Sequence, residues 1–392
     1  MQQRRTTDRL EDAPATAARL RPADASAGAP DDPMAAPSTQ AFSFTGRASE
    51  YFGIWIVNVL LSVLTLGIYS AWAKVRNKRY FYGNTILAGH AFDYLASPVQ
   101  ILKGRLIAVA FLVLWTVAVE FFWWADLIML LVVLPLIMPW ALVRALTFAA
   151  RYSSHRNVRF DFNGTMREAF VVYVLLGLGD LLTLGVLHPY TAYRRRRFRL
   201  ERSSYGGTPF SFSGTPRPFY RAYAKAVTLA LPFLLIAIGL VHASGLNLIM
   251  LLESLTADEL VSAARDGARG VTSGLIALAV LCLVLSVLVP AIYVDTRLAN
   301  YAWSETRLGP QRFALGLDFG RVLWLWLSNL AAIVVSIGLL IPWARVRMAR
   351  YRIERLRLAV VGSLDGLIAA EHQRLAATGD ELGEALGLDL GL

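Results

Sequence analysis

Charge is scarce in this chain: only 17% of its 392 residues are charged, against about a quarter in soluble domains. Cysteine is nearly absent. Cys282 stands alone inside an apolar run, which excludes an intrachain disulfide and a thiolate zinc set. The five histidines, His90, His155, His188, His242 and His372, are scattered and lack ligand spacing. There is no nucleophile elbow, P-loop or dinucleotide fingerprint; G-L-G-D-L at 177–181 lies within an apolar run and not after a strand. No nucleic-acid-binding motif occurs. Residues 1–40, rich in Ala, Pro, Asp and Arg, lack the apolar core of a secretory signal and predict a disordered tail. The sequence thus predicts no enzyme, no metal, no cofactor and no nucleic-acid partner.

What the chain has is apolar length. It is 56% hydrophobic, with mean hydropathy +0.48. Seven runs stand out: Phe52–Tyr69, Leu106–Trp123, Leu127–Leu146, Ala169–Leu187, Ala226–Val241, Leu275–Tyr293 and Val322–Ile341. Each is near the roughly 20 residues that a bilayer crossing needs. The charges between them conflict with seven crossings. Lys74, Arg76, Lys78 and Arg79 follow the first run; Arg151, Arg156, Arg159 and Arg167 precede the fourth; Arg194, Arg195, Arg196 and Arg197 follow it. Basic loops favour the cytoplasmic side, so a crossing at the fourth run would place one basic loop outside. One arrangement obeys the rule throughout. Hairpins 106–146 and 226–293 supply four spanning segments, while the first, fourth and seventh runs enter and leave on the cytoplasmic side as re-entrant or interfacial helix pairs. The alternative is a seven-helix protein that breaks the rule at the fourth run.

An internal repeat supports the first arrangement. At one constant spacing Phe42, Gly46, Glu50, Gly67, Arg76 and Pro98 map to Phe160, Gly164, Glu168, Gly185, Arg194 and Pro216. At a second, Trp55, Asn58, Gly67, Trp72 and Arg76 map to Trp326, Asn329, Gly338, Trp343 and Arg347. F-x-F-x-G at 42–46, 160–164 and 210–214, with F-R-L-E-R at 198–202 and Y-R-I-E-R at 351–355, reads as short strands by its alternation. The predicted fold is an α-helical polytopic membrane protein with three repeat units, about 42–98, 160–216 and 313–358, and a small cytoplasmic β-layer. A tail at 1–40, a membrane domain at 41–360 and a C-terminal cytoplasmic tail at 361–392 divide the chain, and both termini are expected in the cytoplasm.

E-Y-F-G-I-W-I-V-N followed by T-L-G-I-Y-S-A-W-A-K-V-R-N-K-R-Y resembles the YjgN-like domain-of-unknown-function family of bacterial inner-membrane proteins, over roughly residues 40–360. The resemblance implies a multi-pass inner-membrane location. The second unit departs from the pattern, with Leu176 at the Asn position and Tyr190 at the Trp position.

Candidate binding residues are the intramembrane polar groups Asn58, Asn329 and Asp180, with Trp55 and Trp326 beside them. The Asn pair either lines a cavity between units or closes its own hairpins by hydrogen bonds. Asp180 either couples a proton or cation or caps a bend. Gly67, Gly185 and Gly338 mark the turns. Arg76, Arg79, Arg194, Arg197, Arg347 and Arg350 are candidate contacts for anionic lipid headgroups. The near-helical apolar spacing of Leu246–Arg269 predicts an amphipathic helix on the periplasmic surface. Two functional classes follow: a transporter or channel for a small solute, or a non-catalytic membrane scaffold that contacts anionic lipids. The lipid bilayer is the one predicted partner. Single cysteines at 124–126 and near 258 are expected to react with a periplasmic thiol reagent, and those at 84, 156, 206 and 308 are not; periplasmic labelling at 206 overturns this topology.

Overall fold

The computed structural model describes residues 38–122, 124–244 and 270–362, with Gly366 and Ile368 beyond them. The helix expected within Leu246–Arg269 lies outside these residues, as do most of both tails. The first described residues, Ser38–Ala41, form a strand, so the last three residues of the segment expected to be a tail to residue 40 are ordered.

One antiparallel sheet of 11 strands organises the chain. Its strands are β1 (Ser38–Ala41), β2 (Ser43–Phe44), β3 (Thr85–Leu87), β4 (His90–Tyr94), β5 (Ser153–His155), β6 (Val158–Phe162), β7 (Ser203–Tyr205), β8 (Thr208–Phe212), β9 (Thr306–Leu308), β10 (Gln311–Leu315) and β11 (Leu356–Val360). From β2 to β11, strands that follow one another in sequence are neighbours. β1 pairs with β11, Ser38 opposite Val360, while β2, one residue further along the chain, pairs with β3, Ser43 opposite Ile86. Phe42, between them, donates its N–H to the Leu356 carbonyl at 3.2 Å. The segment 38–44 therefore bonds to both ends of the sheet and closes it into a ring. Closure removes the unpaired edges that an open sheet exposes.

The connections alternate strictly. Tight turns join β3 to β4, β5 to β6, β7 to β8 and β9 to β10. Ala88–Gly89 and Arg156–Asn157 carry positive φ at both positions, as hairpin turns of matching twist require. Every other connection is a pair of helices: α1 (Ala48–Leu64) with α2 (Ser70–Gly83), α3 (Pro98–Phe121) with α4 (Ala125–Arg151), α5 (residues 166–182) with α6 (His188–Glu201), α7 (Arg217–Ala243) with α8 (Gly270–Ser304), and α9 (Phe319–Val335) with α10 (Ile341–Glu354). In an antiparallel ring alternate connections fall at opposite ends. All these helical hairpins therefore leave from one end of the ring, and the tight turns occupy the other.

Four helices are long and apolar enough to cross a membrane: α3, α4, α7 and α8. They are the two hairpins predicted at 106–146 and 226–293. No residue of α3 is buried, and its apolar side chains face outward along its length.

The ring interior is aromatic. Phe92 stands opposite His155, Phe160 opposite Tyr205, Phe210 opposite Leu308 and Phe313 opposite Leu358. Phe92 and His155 lie 4.5 Å apart by ring centroid, Phe160 and Tyr205 5.0 Å. Burial holds the His155 imidazole below its ordinary pKa, so it is neutral at pH 7. Two residues beyond these aromatics, on the same strand face, Tyr94, Phe162 and Phe212 pack against helices; Phe44, two residues beyond Phe42, does the same.

The segments 198–202 and 351–355 are not strands. They form the last turns of α6 and α10, which run to Glu201 and Glu354. Their alternation misleads because Phe198 is buried under α5 while Arg197 and Glu201 pair one helical turn apart at 2.8 Å. The glycine of F-x-F-x-G has a steric cause: a Cβ on Gly164 would sit 2.6 Å from the Phe162 ring and 2.7 Å from Phe198, both buried. Gly164→Ala is expected to destabilise the protein by about 1–3 kcal/mol. Gly53→Ala, with nothing within 4 Å, is expected to be neutral or slightly stabilising. Thermal unfolding in detergent checks the pair.

Candidate functional site

The three hairpins α1/α2, α5/α6 and α9/α10 share one turn. Leu66–Gly67, Leu184–Gly185 and Ile337–Gly338 all adopt positive φ, 49° and 90°, 49° and 85°, 50° and 87°. The glycine N–H reaches back five residues, to Ser62, Asp180 and Ile333, at 2.7, 2.7 and 2.8 Å. A hydroxyl one position before the left-handed pair completes each turn. Thr65 donates to Leu61 at 2.7 Å and accepts from the Tyr69 N–H at 2.9 Å. Thr183 donates to Gly179 at 2.8 Å and accepts from Leu187 at 3.1 Å. Ser336 donates to Ile333 at 3.3 Å and accepts from Leu340 at 3.0 Å. Each hydroxyl thus bridges the end of one helix and the start of the next. Sequence reading missed them, although T-L-G, T-L-G and S-I-G recur at the spacing that located the glycines.

The tips are apolar and bare. Leu66, Leu184 and Ile337 are 95%, 93% and 94% exposed. Leucine or isoleucine in left-handed backbone costs about 1–2 kcal/mol relative to the ordinary helical region. In water Gly or Asn is preferred at such a position.

Below each tip, polar side chains tie the two helices together. Asn329 is buried; its amide donates to the Ala344 carbonyl at 3.3 Å and accepts from Arg347 Nη1 at 3.1 Å. Arg347 also bonds Ser328 at 2.7 Å and covers the Trp343 ring. Asn58 donates to Asn77 at 3.1 Å, while its own Oδ1 is buried with no hydrogen-bond partner. In the second hairpin, where Leu176 replaces the Asn, Thr191 occupies the position of Ala344. Its hydroxyl lies 3.4 Å from the Leu176 carbonyl and 2.7 Å from Asp180 Oδ1, and His188 Nδ1 lies 3.1 Å from Asp180 Oδ2. The tie is thus kept with its polarity reversed. Each of Asn58, Asn329 and Asp180 bonds within its own hairpin, and the structure does not bring the three together. Trp55 is half-buried beside Phe52, and Trp326 is exposed.

The arginines divide. Arg79 donates to the Tyr94 and Ala96 carbonyls, both at 3.2 Å, and Arg350 to Gly46 at 2.8 Å, which ties their helices to the ends of strands; Arg197 instead pairs with Glu201 within α6. Arg76 and Arg194 touch tyrosine hydroxyls at 3.3 and 3.2 Å. A cavity of about 510 Å³ opens between α6, α7 and α8, with Arg195, Arg196 and Arg199 in its wall. Cavities of about 410 and 430 Å³ flank the basic faces of α6 and α10. No cluster of metal-binding side chains occurs among the described residues.

A ring of strands, four membrane-length apolar helices and bare apolar tips define a mostly helical membrane protein. The chain belongs to the bacterial protein family of unknown function DUF898, whose model matches residues 39–385. It is similar to the inner membrane protein YjgN of Salmonella typhimurium, 30% identical over 155 residues, covering 36% of this chain and 39% of that protein. It is also similar to YjgN of Escherichia coli O157:H7, 34% identical over 38% of this chain and 37% of the relative, and to that of Escherichia coli K12, 33% identical over 36% of each. The matched part of the chain spans less than two fifths of these relatives' length. No solved structure matches the chain.

Asn329→Leu removes the donor to Ala344 and the acceptor of Arg347, leaving buried polar groups unpaired, and is expected to destabilise the protein by about 1–3 kcal/mol. Leu176→Asn, where Thr191 already makes the tie, is expected to give no gain. Thermal midpoints of both variants against the wild type check the contrast.

Proposed function

We propose that the protein is a non-catalytic inner-membrane scaffold. It inserts three apolar wedges into the cytoplasmic leaflet and contacts anionic lipid around them, and it does not conduct or transport a solute. The carrying observation is the set of bare, left-handed tips at Leu66, Leu184 and Ile337, each backed by internal hydrogen bonds of the glycine N–H and of a Thr or Ser hydroxyl. Lipid requires both properties of a buried turn.

The ring supports this topology. Both ends of every helical hairpin return to it, so each hairpin crosses an even number of times. In the wedges one helix is apolar, but its partner carries Lys74 and Arg76, Arg194 to Arg197, or Arg345 and Arg347, charges that are costly at the bilayer centre. The apolar helices of 17 residues are about 25 Å long, shorter than the roughly 30 Å hydrocarbon core. The wedges are one unit used three times, alternating around the ring with the spanning hairpins α3/α4 and α7/α8, and the ring lies on the cytoplasmic side. Arg156 and Arg159 on it, and Arg167 just beyond, fit the positive-inside bias. Against transport, Asn58, Asp180 and Asn329 are committed within separate hairpins, and none of them lines the cavities described above.

An environment-sensitive fluorophore placed at Leu66→Cys, Leu184→Cys or Ile337→Cys, in a Cys282→Ala background, is expected to report an apolar medium. It should be quenched by lipids brominated in the acyl chain and shielded from aqueous iodide. Strong iodide quenching at all three tips sinks the wedge reading. Flux of any solute from a mixed metabolite panel, above empty proteoliposomes, restores the transporter.

A further inference from the structure

The cavity between α6, α7 and α8 differs from the other basic surfaces in what its arginines lack. Arg195, Arg196 and Arg199 come from successive turns of α6 and share the cavity with a single carboxylate, Asp295. That carboxylate is already taken, its Oδ2 lying 2.6 Å from Arg352 Nη2. The nearby Asp180 is held by Thr191 and His188. Arg195 is oriented by the Tyr173 ring, 5.2 Å from its guanidinium carbon, and its Nε is buried with no hydrogen-bond partner among the described residues. Arg199 directs its Nε only to the Arg195 carbonyl, at a long 3.4 Å. Burial, with the charge of Arg199 beside it, pulls the Arg196 guanidinium below its ordinary pKa, and the Asp295 carboxylate offsets this only in part. Three arginines, Arg199 at its exposed rim, thus line a space whose one carboxylate, Asp295, also pairs with Arg352, an excess of positive charge that an anion would balance.

The rest of the lining fixes the depth. His188 and Tyr223 stand edge to face at 5.2 Å, and Ala226 and Pro290 belong to it. Ala226 begins the apolar stretch of α7, and Pro290 lies near the end of that of α8. The cavity therefore sits where the hydrocarbon region gives way to headgroups.

We propose that this cavity is a binding site for one phosphate group, with Arg195, Arg196 and Arg199 as its donors. Planar guanidiniums match phosphate oxygens in pairs, a geometry lysine does not supply. Phospholipid headgroups and soluble phosphates share this chemistry; the depth of the cavity selects the acidic glycerophospholipid. The inference rests on the scaffold reading for its orientation in the membrane, and adds a single saturable site to a general headgroup contact.

The test uses the full chain in mild detergent. After exhaustive detergent exchange, phosphorus analysis and native mass spectrometry are expected to find about one phospholipid per wild-type chain. Arg195→Ala/Arg199→Ala is expected to lower that occupancy about tenfold, Arg195→Lys/Arg199→Lys to give an intermediate value, and Arg312→Ala, on the ring, to leave it unchanged. Should the double variants fail to fold, the wild type decides alone. Delipidated protein is titrated with phosphatidylglycerol nanodiscs, with phosphatidylcholine nanodiscs and with inorganic phosphate, and its thermal midpoint is followed. Stabilisation by phosphatidylglycerol alone identifies the lipid, and stabilisation by millimolar phosphate identifies a soluble ligand in the same site. No retained lipid and no shift with any of the three overturns the site, as does full occupancy in a folded alanine double variant. Spin-labelled lipids separately report whether the surrounding shell prefers phosphatidylglycerol. Loss of that preference with one lipid still held removes the general headgroup contact and leaves the cavity standing.

Discussion

The helix pairs among the described residues all depend on the closure of one ring. The strands are two to five residues long, too short to be stable as isolated hairpins. They persist because segment 38–44 joins the two ends of the sheet, and because the aromatics on their inner faces pack around the whole circuit. The helix pairs are insertions into this ring, so its register fixes their order and spacing. The first and last hairpins meet as a result: Tyr51 on α1 is fully buried and accepts from Arg345 on α10 at 3.2 Å.

The second constraint is that the two helices of each short hairpin are tied together by polar side chains below the tip. The three hairpins meet it by different chemistry on one backbone. In the first and third, an asparagine reaches across to the returning helix; in the second, threonine and aspartate do so from the other side. The starts of the wedges differ in the same way. Tyr80 receives the Arg47 N–H at 2.7 Å and Tyr351 the Asp318 N–H at 3.1 Å. Where Phe198 replaces that tyrosine, Thr165 and Glu168 cap the helix reciprocally. The backbone requirement stays constant while the side chain that meets it changes.

This explains how far the sequence could be read. Hydropathy and loop charge located the four membrane-length helices because transfer free energy adds over about 20 residues. The left-handed turns were legible because glycine is the residue that tolerates them. The ring was only partly legible. F-x-F at 42, 160 and 210 was visible, but the same strand position reads F-D-Y at 92–94 and F-A-L at 313–315, where tyrosine and leucine take the second aromatic's place. A strand of three residues holds too little alternation to separate it from a helix end, hence the misplaced strands at 198–202 and 351–355. Closure depends on partners at opposite ends of the chain, which no local pattern records. The arginines looked equivalent in sequence; contacts alone separate Arg79 and Arg350, tied to backbone carbonyls, from Arg195, whose Nε has none.

The pairing of Ser38 with Val360 also sets an order of events. Strand β1 is made first and its partner last, with every membrane hairpin synthesised in between. The ring therefore closes only after every helical hairpin has been made. Until β11 emerges from the ribosome, β1 and the growing end of the sheet stay unpaired although all the helical hairpins have been made. Loop-closure entropy grows only slowly with chain length, so the long intervening chain adds little to the cost of closing the ring. A nascent chain stalled before residue 356 exposes two sheet edges, the form in which strands pair with the wrong neighbour.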